Sequence, residues 1–472
     1  MLIISLAVRS RSHHAIIYHM KHITPDSLKS YQSYFDANPQ NQVLQRAVMT
    51  NGIRLASRNP QVVARDKNLW SYEIPTGAIR DQKRTGTCWL MASLAMAEKT
   101  INERLKCESI ELSKSYLYFY DKLEMANAYW QNIIDTRDEP LDSRHVQSIL
   151  RSKQSDGGYW SEAIDLIEKY GVVPKSVMPD VADSEDSTYI NPILNEKLAF
   201  GAKQLRETDD PQAVKERLMA ELYHILALSF GVPPSEFAFD FTPKKGDDDE
   251  DKKGKKEDKN EKKKNKNQKD LTTIYTTPVK FWQKYGAKLT DFAMVEFFLD
   301  HKKSEWNTLY AVEDDEFMYG RPTLAATMRF SSEIEQAIKR QILHDEPVWF
   351  SWDVGKQFSS KLGILDAELW KYDELYGDYK VLAKDDRGVY QDHSGVGFHA
   401  TAIVGFREQD GAVTHWKVKN SWGKERGQNG YVSMHANYLE QYVEQAVINK
   451  TYLPKGVQAV FEREPRTVRY WE

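Results

Sequence analysis

The sequence predicts an α+β fold built from a helical N-terminal part and a β-rich C-terminal part, with a large helical insertion between them. Three observations predict it. Helix-spaced apolar residues with cap signals run through residues 24–190, and short strand-like runs crowd residues 347–472. Between them, further helical stretches at 191–346 surround a segment without any apolar residue. A chain of 472 residues is also too long for one compact core, which fits two subdomains and an insertion.

Residues 1–23 read as an extension outside the fold. "MLIISLAV" opens with an apolar patch from Leu2 to Val8, but no basic stretch precedes it and no A-x-A-like site follows, so it is not read as a signal peptide. Helical patterning starts at Thr24 with "TPDS", a capping signal. A second cap lies in "ELSKSYLYFY", Glu111 to Tyr120. In the insertion, "AVKERLMAELYHILALSF" from Ala213 to Phe230 and "SSEIEQAIKRQILHDE" from Ser331 to Glu346 carry helical spacing. The tail then turns to strands: "PVWFSWDV" from Pro347, "HATAIVGF" from His399, "HWKVKNSW" from His415 and "GYVSM" from Gly430.

The insertion contains Lys244 to Asp270, in which twelve lysines stand against nine acids, a balance of only +3. Burial cannot compensate for ordering such a segment, so it is expected to be a solvated loop. Nucleic-acid binding would call for basic residues interleaved with aromatics or glycines, and a nucleic-acid partner is not expected. The net charge of -4 points to no polyanionic partner either. No apolar run reaches eighteen residues, which excludes a membrane-spanning helix by sequence. Two cysteines, Cys88 and Cys107, cannot form a disulfide framework and fit a reducing, cytoplasmic setting. Neither a metal nor a cofactor is expected.

Cys88 falls where the polar turn "DQKRTGT" gives way to an apolar helical run. A helix starting near Gly86 or Thr87 would put its thiol in the first turn, where unpaired N–H groups and the helix dipole favour a thiolate. Cys107 has no such setting and reads as core. A thiolate nucleophile needs an imidazole, and the imidazole needs an orienting group. His399 follows the loop "HSGVGF" and opens an apolar strand. Asn420, twenty-one residues later, can hold its tautomer, and Trp422 can shield that bond from water. His393 and His415 are rivals that lack this combination of tight turn and apolar strand.

With those residues in place, the chain resembles the papain-like cysteine peptidases. Gln82 stands six residues before Cys88, Trp89 follows it, and His399-Ala and Asn420-Ser-Trp-Gly complete the set in the family's order. Thr85 occupies the position where extracellular members carry a cysteine. The interval from Cys88 to His399 is 311 residues, against about 130–150 in papain-like enzymes, so roughly 160–180 residues are extra. That surplus, with stretches such as "DGGYW" and "WDVGKQ", is similar to the bleomycin hydrolase and aminopeptidase C group.

The resemblance implies a papain-like fold of two subdomains and an intracellular thiol aminopeptidase acting on peptides, assembled as a homohexameric ring. It implies Cys88 as nucleophile, His399 as acid and base, Asn420 as its orienting partner and Gln82 as an oxyanion donor. Gly157, Gly158 and Trp89 are expected to bind substrate. A Cys-His acyltransferase would ordinarily use Asp in place of Asn420, and a scaffold with a relic site would not keep all four residues. The ending "FEREPRTVRYWE" has Tyr470 and Trp471 where the aminopeptidase C group ends in small residues. Weaker selectivity for free N-termini, as in an endopeptidase, is expected from it.

Overall fold

The computed structural model describes residues 22–107, 109–152, 154–243, 271–298, 305–313, 318–376 and 398–469. The extension 1–21, the charged segment 244–270, His393 and Tyr470 to Glu472 lie outside the described residues. The described residues divide into two units, one of residues 22–65 with 368–376 and one holding the rest. This differs from the division expected above, which joined residues 24–65 to the helical subdomain.

In the smaller unit, helix α1 (Pro25–Asp36) is capped by Thr24, whose hydroxyl accepts from the Ser27 amide at 3.2 Å. Helix α2 (Pro39–Ala56) is kinked at Gly52, where φ is 73°. Helix α3 (Pro60–Arg65) follows. The returning segment 368–371 joins this unit through backbone bonds from Asn59 N to Leu369 O (2.9 Å) and from Lys371 N to Ser57 O (2.7 Å).

The larger unit begins with the short strand β1 (Tyr72–Glu73) and helix α4 (Cys88–Arg104). Residues 88–94 of α4 are all buried, so the helix is apolar around its circumference and runs through the interior. Helices α5 (Lys114–Asp135), α6 (Arg144–Arg151) and α7 (Trp160–Tyr170) follow. The pair α8 (Ile190–Glu207) and α9 (Pro211–Phe230) packs on α5 and on each other. Leu218, Leu222, Leu226 and Phe230, at helical spacing, are the buried residues of α9.

The stretch 191–346 is less uniformly helical than its patterning suggests. After α9 comes the hairpin β2 (Phe237–Phe241) and β3 (Thr272–Thr276), then helix α10 (Pro278–Tyr285). Strands β4 (Phe292–Glu296), β5 (Thr308–Glu313) and β6 (Thr323–Thr327) precede helix α11 (Ser332–Leu343). These five-to-six-residue runs are too short to show a period and are decided by pairing in the main sheet.

The C-terminal strands are β7 (Val348–Asp353), β8 (Phe358–Ser359), β9 (Ile364–Leu365), β10 (Phe398–Gln409), β11 (Ala412–Lys419), β12 (Tyr431–His435), β13 (Val443–Asn449) and β14 (Arg466–Arg469). One mixed sheet runs β14-β5-β6-β4-β13-β7-β10-β11-β12-β9-β8, with β1 paired to β10. Two hydrophobic cores result. One gathers α4, α5 and α7 to α10; the other gathers the inner strands with α11. Helix α4 packs against β10 and β7, and the Trp349 indole donates to the Trp89 carbonyl at 3.2 Å. The helical part and the β-rich part therefore meet along the helix that opens with Cys88.

Phe241 and Thr272 are register partners on either side of residues 244–270, so the hairpin is closed before that segment starts. Replacing 244–270 with a short Gly-Ser turn is expected to move the melting temperature by no more than about 3 °C, since loop length enters closure entropy only logarithmically. A scanning-calorimetry shift well beyond that would show that the charged segment contributes packing.

Candidate active site

Helix α4 begins at Cys88 with Thr87 as N-cap, and the Thr87 side chain makes no capping bond. The Thr87 hydroxyl instead pairs with that of Thr85 at 2.8 Å. The first N–H groups of α4 thus stay available at the thiol, on the positive end of the helix dipole. The Cys88 Sγ lies 3.7 Å from the Gly86 carbonyl. Burial pushes the thiol pKa up, while the backbone N–H groups of Ala400, Trp89 and Cys88 itself pull it down.

His399 enters from β10, where it stands opposite Trp352 of β7. One ring nitrogen, Nε2, lies 2.8 Å from Asn420 Oδ1, which also accepts from the Ser421 amide. An amide oxygen accepts only, so Nε2 carries a hydrogen and Nδ1 is the nitrogen left for another partner. The ring stacks on Trp422 with centroids 4.5 Å apart and meets Trp352 edge to face at 5.4 Å. Phe358 packs between these two indoles. The box buries the ring, and that burial lowers the His399 pKa to about 4, with the Asn420 bond partly opposing.

Gln82 is held from three sides. Its backbone N–H donates to Ser421 O at 2.8 Å, its Oε1 accepts from the Ser421 hydroxyl at 2.7 Å, and its Nε2 donates one hydrogen to Thr85 O at 2.6 Å. The second amide hydrogen is not needed by that bond. Gln82, Cys88 and His399 line one cavity of about 530 Å³ together with Gly157 and Gly158.

The cavity wall qualifies three of the expected substrate contacts. A Cβ on Gly157 would meet nothing within 4 Å, so open space faces this residue. At Gly158 a Cβ would fall 2.3 Å from Glu162 Oε2 and 2.5 Å from the Trp89 indole, so glycine is required there by packing. Trp89 is 1% exposed and its Nε1 donates to Asp156 O at 2.8 Å. Its indole N–H is therefore spent on the wall.

Asp156 is the residue that sequence reasoning missed. One carboxylate oxygen accepts from Tyr118, Lys122 and Asn191, and the other from Ser187 and from the Gly86 amide at 3.1 Å. Burial opposes its ionisation, but the Lys122 charge and these hydrogen bonds hold it well below the usual carboxylate range. The only sequence signal was an acid directly before two glycines. Of the rivals, His415 sits on β11 against His435 and does not line this cavity. Cys107 is buried with its Sγ 3.0 Å from Asn102 Oδ1, as a core residue should be.

A buried helix headed by a cysteine, packed against a sheet that carries a histidine–asparagine pair, defines the α+β papain-like class of folds. Residues 22–472 match the model of the Peptidase C1-like family, and the chain belongs to that family. It is 32% identical to Aminopeptidase C of Listeria innocua over 95% of this chain and 98% of that protein. It is 28% identical to human bleomycin hydrolase over 93% and 94%. The crystal structure of pepW from Lactobacillus rhamnosis superposes with a TM-score of 0.84 at 33% identity, covering 95% of this chain and 98% of that one.

Asp156→Ala would leave the wholly buried Lys122 ammonium with Asp121, 3.6 Å away, as its one charged partner among the described residues. The expected cost is about 3 kcal/mol of stability, read from the denaturant midpoint at constant m. A cost below about 1 kcal/mol would mean that the carboxylate does not hold this wall.

Proposed function

We propose that this chain is a cysteine aminopeptidase in which Cys88 is the nucleophile and His399 the acid and base. The observation that carries the reading is the His399–Asn420 bond set in the same cavity as a cysteine on an uncapped helix N-terminus. The aminopeptidase specificity rests on the likeness to Aminopeptidase C.

In this reading the Cys88 thiolate attacks the scissile carbonyl, and the oxyanion takes hydrogen bonds from the Cys88 backbone N–H and the free amide hydrogen of Gln82. Each such donor is typically worth about 2.7–4 kcal/mol in the transition state. His399 protonates the leaving amine, then activates the water that hydrolyses the thioester. Asn420 keeps the ring turned so that Nδ1 serves the thiol, and Trp422 keeps water from that bond. Gly157 gives an extended peptide room to approach.

Peptides are accordingly the substrates. A homohexameric ring belongs to the same reading, and the exposed Leu28, Tyr31, Tyr34 and Met49 on α1 and α2 support assembly of some kind. A reducing, cytoplasmic setting is supported by two free cysteines. Among the described residues no helix is long and apolar enough to cross a membrane.

Incubation with one short peptide carrying either a free or an acetylated N-terminus tests the specificity. Stepwise release of N-terminal residues, faster from the free form than from the acetylated one, is expected; internal cleavage of both forms at equal rates would make the chain an endopeptidase. Cys88→Ala and His399→Ala should each abolish hydrolysis, whereas Asn420→Ala should lower kcat by a smaller factor because the ring keeps its aromatic box. Equal losses in all three would deny Asn420 a mere orienting role.

The pH profile gives an independent check. The one-proton state of the Cys88–His399 pair is lost on the acid side when His399 takes a second proton, and burial pushes that event down from 6.5. The acid limb of kcat/KM should therefore lie below the ordinary imidazole range. Trp422→Ala admits water to the ring and should move the limb upward, toward 6.5. A wild-type limb at or above 6.5, unmoved by Trp422→Ala, would contradict the assignment of His399.

A further inference from the structure

Strands β11 and β12 pair with His415 directly opposite His435, and the two rings meet edge to face at 4.1 Å between centroids. Both residues are more than nine-tenths buried. On the outer side of the pair, His435 Nδ1 lies 2.5 Å from the Asp366 carboxylate, which Asn437 Nδ2 holds in turn at 3.1 Å. A carboxylate oxygen is an acceptor, so one this close to Nδ1 favours the tautomer of a neutral His435 ring with its hydrogen on Nδ1, which leaves Nε2 with a lone pair. His415 Nδ1 is likewise engaged, 2.9 Å from the Thr414 hydroxyl.

A third group reaches this point from the segment before β1. Asp66 Oδ2 accepts from Gln428 Nε2 at 2.6 Å, which fixes the carboxylate. Its Oδ1, His415 Nε2 and His435 Nε2 are all buried, and among the described residues none has a hydrogen-bond partner. One oxygen of Asp66 and one nitrogen of each ring lie within 4.8 Å of one another. Buried polar atoms are ordinarily satisfied, and three unsatisfied ones from three segments converging on one point call for a common partner.

We propose that Asp66, His415 and His435 bind one divalent transition-metal ion, zinc by the character of its donors. Two imidazoles and a carboxylate suit zinc or cobalt better than magnesium or calcium, which prefer oxygen ligands throughout. Asp366 is the outer-shell carboxylate that orients His435, and with Asp66 it matches the double charge of the ion. The fourth tetrahedral position is left to water. The ion's role is structural. It ties the entry of the larger unit to strands β11 and β12, and β11 ends at Lys419, directly before Asn420. No local pattern announces this site, since Asp66 lies far along the chain from His415 and His435 and His415 stood out only as a rival base.

The test uses the full, untagged chain carrying Cys88→Ala, so that the thiol proposed as nucleophile takes up no metal. After chelator treatment, cobalt(II) should bind with the intense visible absorption of a four-coordinate ion, zinc should displace it, and zinc should raise the melting temperature. His435→Gln should abolish the visible band, and Asp366→Asn should weaken affinity about 10–100-fold. No visible band, or an undiminished band in His435→Gln, would overturn the proposal. Crystals of the unsubstituted chain soaked in zinc chloride give a reading that needs no variant to fold. Anomalous density between Asp66, His415 and His435 is expected, and its absence from that position would also overturn the assignment.

Discussion

The Asp156 carboxylate accepts from Tyr118, Lys122, Ser187, Asn191 and the Gly86 amide, while its own carbonyl takes the Trp89 indole N–H. These partners come from α5, from the loop before α8, from α8 itself and from the turn that leads into α4. One ionised group thereby fixes the turn before Cys88 against the glycines beside it. A neutral residue could not do the same, because Lys122 is wholly buried and its ammonium needs a charge close by. The packing of Gly158 on Trp89 follows from that arrangement, since the indole is held flat against the loop with no room for a Cβ.

A second constraint acts from the sheet side. The segment Arg80 to Gln82 is bonded to the β-rich part through Gly423 N to Arg80 O and Gln82 N to Ser421 O. It is bonded to α4 through the buried Arg80–Glu98 pair at 2.9 Å. Glu98 also accepts from the Leu112 amide, so the ion pair is satisfied on more than one side. Gln82 therefore depends on both halves of the larger unit at once. The residues proposed for the oxyanion and for the imidazole share Ser421 as a neighbour, whose hydroxyl holds Gln82 and whose amide holds the Asn420 oxygen.

Burial sets the electrostatics of the cleft. It raises the thiol and lowers the imidazole, so a proton moved between them creates charge in a poor solvent. Helix N–H groups on one side and the Asn420 oxygen on the other supply fixed dipoles that water would otherwise provide. The aromatic box of Trp422, Trp352 and Phe358 is thus part of the electrostatics as much as of the packing. The His415–His435 pair, two strands of the same sheet further out, meets burial with carboxylates instead.

The sequence by itself determined the α+β class, the helix that opens with Cys88 and strands β7, β10, β11 and β12, and it singled out Gln82, Cys88, His399 and Asn420 as candidates. Those features are local: a cap before an apolar run, alternation along a strand, a short interval between a glutamine and a cysteine. Tertiary structure decided what depends on distant partners. Strands β4, β5 and β6 are fixed by pairing rather than by period, and residues 368–371 join the N-terminal unit through backbone bonds that no side-chain pattern announces. Asp156 gained its importance from four segments of chain, and Asp66, His415 and His435 met only when β11 and β12 came into register. Local patterning follows from geometry repeated every two or 3.6 residues, whereas a buried charge or an unsatisfied lone pair acquires meaning only from whatever the fold places beside it.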